Sequence, residues 1–217
     1  VFAHDIRAQG ADFDTPMVDA THDDETGRSM ILVSPDGERS MNTYLGVANQ
    51  LSPTDIDPAL MADTKWLYLE GYLFDRPESQ AAFIRAVELC NAAGGQSSIS
   101  LSDPFCVDRH RAAFRDLIAN HIDMLFCNEH EVMAMYSGDT LQASITNGAQ
   151  YVDTLVCTAS AKGAYIAHGG QIIKRNVPGS GFQKLSLVEV VDCNCVISHM
   201  GARPAADLNA LFKSQGL

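Results

Sequence analysis

Polar and apolar positions along this chain follow two rhythms. Near the front, "SMILVS" (29–34) and "RSMNTYL" (39–45) flank Pro35-Asp36-Gly37-Glu38. Proline presets φ at the first corner of a turn and glycine accepts a positive φ, so this stretch predicts a hairpin. Alternation in 39–45 predicts that one face of it is wet. Ahead of it, "VFAHDIRAQG" reads as a helix entered midway and ended at Gly10.

Beyond residue 65, short apolar runs alternate with longer amphipathic ones. "KWLYLEGYLF" (65–74), "SSISLS" (97–102), "IDMLFC" (122–127) and "TLVCTA" (154–159) read as strands. A helix is predicted over 76–95. Pro77 falls in its first turn, Phe83, Val87 and Cys90 recur at helical spacing, and Gly94-Gly95 stops it. Further helices are predicted over 108–120, with Phe114, Leu117 and Ile118 on one side, and over 129–136. "GAYIAHGGQIIKR" (163–175) adds a hairpin at the sheet's edge, and "PAADLNALFKSQG" (204–216) a closing helix. Strands alternating with helices imply right-handed crossovers, an α/β fold and a mostly parallel sheet. Ligands of such sheets bind beyond the carboxyl ends of the strands. The places to search are therefore 70–75, 102–107, 127–131 and 158–163.

Composition narrows the field. At 217 residues and 46% hydrophobic, the chain suits one α/β domain with a real core. No apolar run reaches the length of a membrane span. A formal charge of −12 argues against nucleic acid as partner, because phosphate backbones call for a basic surface. A small phosphorylated ligand held by a few local donors stays open. The cysteines at 90, 106, 127, 157, 193 and 195 form no disulfide framework, and the first four sit singly in apolar stretches. A reducing cytoplasm is the expected compartment. No zinc spacing, Walker loop or Gly-x-Ser-x-Gly elbow is present.

Four places could carry chemistry. Asn128-Glu129-His130-Glu131 closes the 122–127 strand. It reads as a capping box, in which Asn128 accepts from free helix N–H groups and Glu131 reaches back. The same geometry suits a hydrated Mg²⁺ and a phosphate. Thr158 to Gly163 closes the next strand with hydroxyls and a glycine, which suit a nucleotide phosphate or an ordinary turn. Asp103, beside Asp108, Arg109, His110 and Arg111, stands where it can cap a helix or touch a ligand. Arg39 follows the hairpin turn, either as a solvated surface residue or as a cation that closes over a phosphoryl group.

Taken in order, "TGRSMILVSPDGERSMNTYLGVANQLSPTDID", "YLEGYLFD", "LSDPFCVDRHR", "LFCNEHE" and "VISHMGARP" resemble the PfkB carbohydrate kinase family, closest to its adenosine-kinase-like bacterial members. The likeness runs over nearly the whole chain. It implies one ribokinase-like three-layer α/β/α domain over 1–217, with 26–46 in a small β lid. It implies transfer of the γ-phosphate of ATP, with Mg²⁺, to a hydroxyl of a nucleoside or sugar, adenosine being the first expectation. Under it, Asn128 and Glu131 match an Asn-x-x-Glu motif that orders Mg²⁺ through water. Thr158, Gly163 and Asn194 fall to the nucleotide, Tyr72 and Asp103 to the acceptor, and Arg39 to the transferring phosphate. A monomer and a lid-mediated homodimer are both open, with no nucleic acid and no membrane as partner.

One departure stands out. After Val190-Val191-Asp192 the family pattern continues with Thr and Gly-Ala-Gly-Asp, whose backbone N–H groups form an anion hole and whose Asp is the catalytic base. Here Cys193-Asn194-Cys195 follows instead. That Cys-x-Cys is read as a junction at 192/193 between distant segments rather than as a metal pair. The family's front strands are likewise expected before Val1. Either segments of a complete enzyme are joined here, or the polypeptide is truncated and catalytically dead, a nucleotide- or nucleoside-binding remnant. The first is favoured, because a parallel sheet stripped of strands exposes apolar edges and aggregates. Intact mass separates the two.

Overall fold

The computed structural model describes residues 2–13, 25–36 and 39–175. The expected junction at 192/193, Asn194 and the closing helix lie outside them. A short helix α1 (Phe2–Ala8) ends at Gly10, whose φ of 81° supplies the left-handed exit. The hairpin follows as β1 (Thr26–Val33) and β2 (Arg39–Gly46), antiparallel, with Val33 opposite Arg39 and Thr26 opposite Gly46. Both of its faces are exposed, Met30, Ile31, Leu32, Val33 and Met41 included. This corrects the expectation of a single wet face: among the described residues, no element packs on either side of the ribbon until Leu45 and Gly46.

The body of the domain is one six-stranded sheet, in order β3 (Trp66–Glu70), β4 (Gln96–Ser100), β5 (Met124–Asn128), β6 (Thr154–Thr158), β7 (Ala164–His168) and β8 (Gln171–Arg175). The first four strands run parallel, and the β7–β8 hairpin adds antiparallel at the edge, as the sequence pattern predicts. Helices α3 (Pro77–Ala92), α4 (Pro104–His121), α5 (Glu129–Met135) and α6 (Leu141–Gly148) make the crossovers. The period of two sorts the strand residues. Ile99, Leu125, Cys127, Leu155 and Cys157 point into the main core with Phe83, Val87, Phe114, Leu117 and Ile118 from the helices. Met124 and Val156 point the other way, against Trp66 and Phe126.

Two boundaries and two short helices depart from the sequence reading. The 65–74 run is a strand only to Glu70, and Gly71–Asp75 is a 3₁₀ turn. A Cβ at Gly71 would meet the Ser100 carbonyl oxygen at 2.3 Å, so the chain leaves the sheet there at a point only glycine tolerates. The turn sends Tyr72 outward and Phe74 inward, onto the rings of Phe83 and Phe114 at 5.6 and 4.4 Å. The fourth helix begins at Pro104 rather than 108, because Asp103 Oδ1 accepts from the Phe105 and Cys106 amides and Pro104 fits the first turn. Helix α6 and the short helix α2 (Pro58–Asp63) went unpredicted, although Thr140 and Asp57 cap them by the same chemistry. Among the described residues no helix is long and apolar enough to cross a membrane.

Candidate functional site

The carboxyl ends of β3 to β6 bring four turns to one edge. At β5, the capping box is complete. Asn128 Oδ1 accepts from the amides of His130 and Glu131 at 2.9 Å each. Glu131 accepts in return from the Asn128 amide at 2.8 Å and from Asn128 Nδ2 at 2.6 Å. Asn128 stands in register with Thr158 at the end of β6. Beyond Thr158 a single 3₁₀ turn runs to Gly163, whose φ of 95° lets its carbonyl accept from the Ala159 amide at 2.8 Å. Lys162 Nζ reaches back to Glu129 Oε2 at 3.0 Å, tying this turn to the first turn of α5.

The β3 and β4 ends carry acid. Ser102, with an unusual φ of 66°, donates to Glu70 Oε1, and the Tyr68 hydroxyl donates to Glu70 Oε2 at 3.1 Å. Glu131 is buried, and burial pushes its carboxyl above the ordinary range; the Asn128 amide opposes this, while Asp103 and Glu70 add to it. The Tyr72 phenol is raised by burial and then by Asp103, Glu131 and Glu70 in turn. Tyr72 thus lies in the electrostatic field of Asp103, Glu131 and Glu70. Phe105, at the first turn of α4, is 73% exposed, and Tyr72 is 43% exposed.

The sequence-predicted residues thus divide. Asn128, Glu131, Thr158 and Gly163 gather at adjacent strand ends, and Tyr72 and Asp103 stand beside Glu131 in its electrostatic field. Arg39 opens β2 on the exposed hairpin, and among the described residues no hydrogen bond or ion pair joins it to that edge. Glu70, Ser102 and Phe105 were not foreseen. A lone glutamate closing an apolar strand was the available signal for Glu70; nothing in linear spacing pairs 70 with 102. The four described cysteines are buried free thiols, and Cys127 and Cys157 are direct register partners rather than isolated.

No cluster of three or more His, Cys, Asp or Glu side chains able to cage a metal occurs among the described residues. Both Glu131 oxygens already accept hydrogen bonds, which fits a Mg²⁺ held through its own waters and through ligand phosphates rather than by a protein cage.

Known proteins match the family and the fold. A model of the pfkB family of carbohydrate kinases matches residues 5–193. Adenosine kinase from Sinorhizobium meliloti is 30% identical and superposes with a TM-score of 0.78 over 99% of this chain and 73% of that one. A probable sugar kinase from Rhizobium etli CFN 42 is 32% identical, with the same TM-score over 100% of this chain and 73% of that one. A putative ribokinase II from E. coli, solved with ATP and Mg²⁺, is 16% identical and shares the fold at a TM-score of 0.62, over 76% of this chain and 55% of that one. Guanosine-inosine kinase of Escherichia coli (strain K12) is 27% identical over 150 residues, 67% of this chain and 34% of that protein. The chain thus spans about a third of the length of the curated relatives it matches.

Proposed function

The chain belongs to the pfkB family of carbohydrate kinases, and from that premise we propose that it moves the γ-phosphate of ATP to a hydroxyl of a nucleoside. The observation that carries the reading is the register pair Asn128–Thr158, which sets the Asn-x-x-Glu box and the Thr158–Gly163 turn side by side at one sheet edge. Bound Mg²⁺ with ATP supplies the phosphoryl group and part of the charge that neutralises it.

The chain's own residues have three tasks in this proposal. Asn128 fixes Glu131, through its amide and Nδ2, so that the carboxylate orders metal-bound water from a set position. Thr158 and the Gly163 turn bring the backbone close to the nucleotide without a side chain in the way. Tyr72 and Asp103 border the acceptor, and Arg39 reaches the transferring group from the hairpin lid. The Gly-Ala-Gly-Asp loop that would carry the catalytic base does not follow Asp192 in the given sequence, and Asn194, expected on the nucleotide, lies outside the described residues. Phe105 and Tyr72 favour a nucleoside over a plain sugar, because an exposed ring at a polar mouth gains about 1–3 kcal/mol by stacking on a base.

The test is ADP formation by the polypeptide as its own gene encodes it, with MgATP against adenosine, guanosine, inosine, ribose and fructose phosphate. Turnover with a nucleoside, falling when Phe105→Ala is introduced, supports the reading. Turnover with none of the panel overturns it and leaves a non-catalytic binding protein of the same family.

A further inference from the structure

The fourth helix is not one straight helix. His110 sits inside it at φ −123° and ψ 20°, values outside the helical range, so residues 104–109 form a separate first segment. That segment carries the Asp103 cap and Phe105, and it begins at the carboxyl edge of β4. A kink needs a cause, and here one lies on the neighbouring element. Asp75, the last residue of the 71–75 turn, accepts through Oδ1 from His110 Nε2 at 2.8 Å and from Arg109 Nε at 3.0 Å. Gln80 Nε2 lies 3.5 Å from His110 Nδ1 and donates to the Phe74 carbonyl at 3.0 Å. With Gln80 donating to Nδ1, the proton on Nε2 is the one that points at Asp75. The His110 ring also stands edge-on to buried Phe74, 6.4 Å between centroids. A second tie lies closer to the edge, where the buried Cys106 thiol donates to the Gly71 carbonyl at 3.4 Å.

These contacts join the only two described segments that bring an exposed aromatic ring to the proposed acceptor mouth, Tyr72 on the 71–75 turn and Phe105 on the first segment of α4. Tyr72 is one turn from Asp75 on the first; Phe105 is one turn from Arg109 on the second. We propose that Asp75 is a positioning residue. Through His110 and Arg109 it latches the kinked segment of α4 to the 71–75 turn and so sets the spacing between Tyr72 and Phe105 that selects the acceptor. The latch touches no reacting atom. It acts on acceptor binding and leaves the nucleotide side, built on β5 and β6, alone. This inference rests on the kinase reading for what the mouth holds, but not for the latch itself.

Asp75→Asn tests it with two readouts. Steady-state kinetics with MgATP are expected to show the acceptor KM rising about twofold to fivefold, as the loss of a partly exposed ion pair would give, with ATP KM unchanged and kcat within about twofold. Hydrogen exchange is expected to quicken in 71–75 and 104–110 together, with α5 unaffected. His110→Gln, which keeps a donor toward Asp75, is expected near the parent in both. An unchanged acceptor KM overturns the proposal. So does a joint rise in both KM values, the mark of general loosening. If the unmutated protein transfers phosphate to no acceptor, the kinase reading fails by itself and exchange decides the latch: joint quickening upholds it, and quickening of one segment or neither refutes it. Should Asp75→Asn not fold, Arg109→Leu removes one of the two ties and takes the same readouts.

Discussion

Replacing Asn128 separates what holds the site together from what the site does. The Asn128 side chain has two structural duties: its oxygen caps two α5 amides, and its Nδ2 supplies one of the two donors on buried Glu131. Asn128→Ala ends both. Loss of the cap costs about 1–2 kcal/mol, and stripping a donor from a buried carboxylate costs about 1 kcal/mol more. The sum, about 2–3 kcal/mol, corresponds to a fall of about 4–12 °C in Tm for a chain of this length. Asn128→Ser keeps a capping oxygen and loses only the donor, so its cost stays near 1 kcal/mol. Urea or thermal unfolding measures the difference. If the box also serves phosphoryl transfer, both variants lose turnover, because neither keeps the Nδ2 donor that helps to fix Glu131. Equal stability of the Ala and Ser variants would refute the account of α5; full turnover in both would refute the chemical role.

Three further outcomes follow from the geometry. Phe114→Ala leaves a cavity beside the Phe74 ring, whose centroid lies 4.4 Å from that of Phe114, and should cost about 3–5 kcal/mol in denaturant unfolding. Gly71→Ala places a Cβ 2.3 Å from the Ser100 oxygen, so β3 and β4 must part; a loss of about 1–3 kcal/mol is expected, and faster exchange of the β3–β4 ladder amides. Glu131 binds its proton more tightly folded than unfolded, because its carboxyl is raised above the ordinary 4.5. Its contribution is thus most favourable below pH 4.5 and declines as pH rises through the higher folded value. Glu131→Gln should remove that slope from a stability–pH curve, and a slope unaltered by the substitution would assign it to another group.

Much of the fold was legible because its signals are local. Pro35-Asp36-Gly37, the Pro77 and Gly94-Gly95 ends of α3 and the Asn128-x-x-Glu131 box each act within a few residues, so spacing alone exposes them. The 65–74 run was misread because Leu67, Leu69, Leu73 and Phe74 look equally apolar in a strand and in the turn beyond it. What ends the strand is the approach of the Ser100 carbonyl, thirty residues away in sequence. The Glu70–Ser102 and Asp75–His110 pairs were illegible for the same reason. The hairpin's alternation promised a buried face that no described element supplies, a case where period-two patterning reports the strand but not its partner.

The balance of charge at the site leads to the last prediction. Asp103, Glu131 and Glu70 each add to the raised pKa of the Tyr72 phenol, and Glu129 stands at the first turn of α5. Among the described residues, Lys162 is the cation at the proposed nucleotide side, and it is paired with Glu129. A polyphosphate brought to this edge meets carboxylates; at an effective dielectric constant of 20, like unit charges about 6 Å apart oppose each other by about 3 kcal/mol. On the kinase reading, the backbone amides and the one paired lysine among the described residues do not offset several such terms, so nucleotide binding is expected to bring a divalent cation with it. An uncharged nucleoside carries no such penalty. Calorimetry after chelation should therefore show ATP affinity lost by at least about a hundredfold, while acceptor affinity stays within about twofold. ATP that binds equally well without the cation would mean that positive charge from elsewhere, Arg39 on the hairpin being the candidate in reach of a lid movement, already fills the role assigned here to the metal.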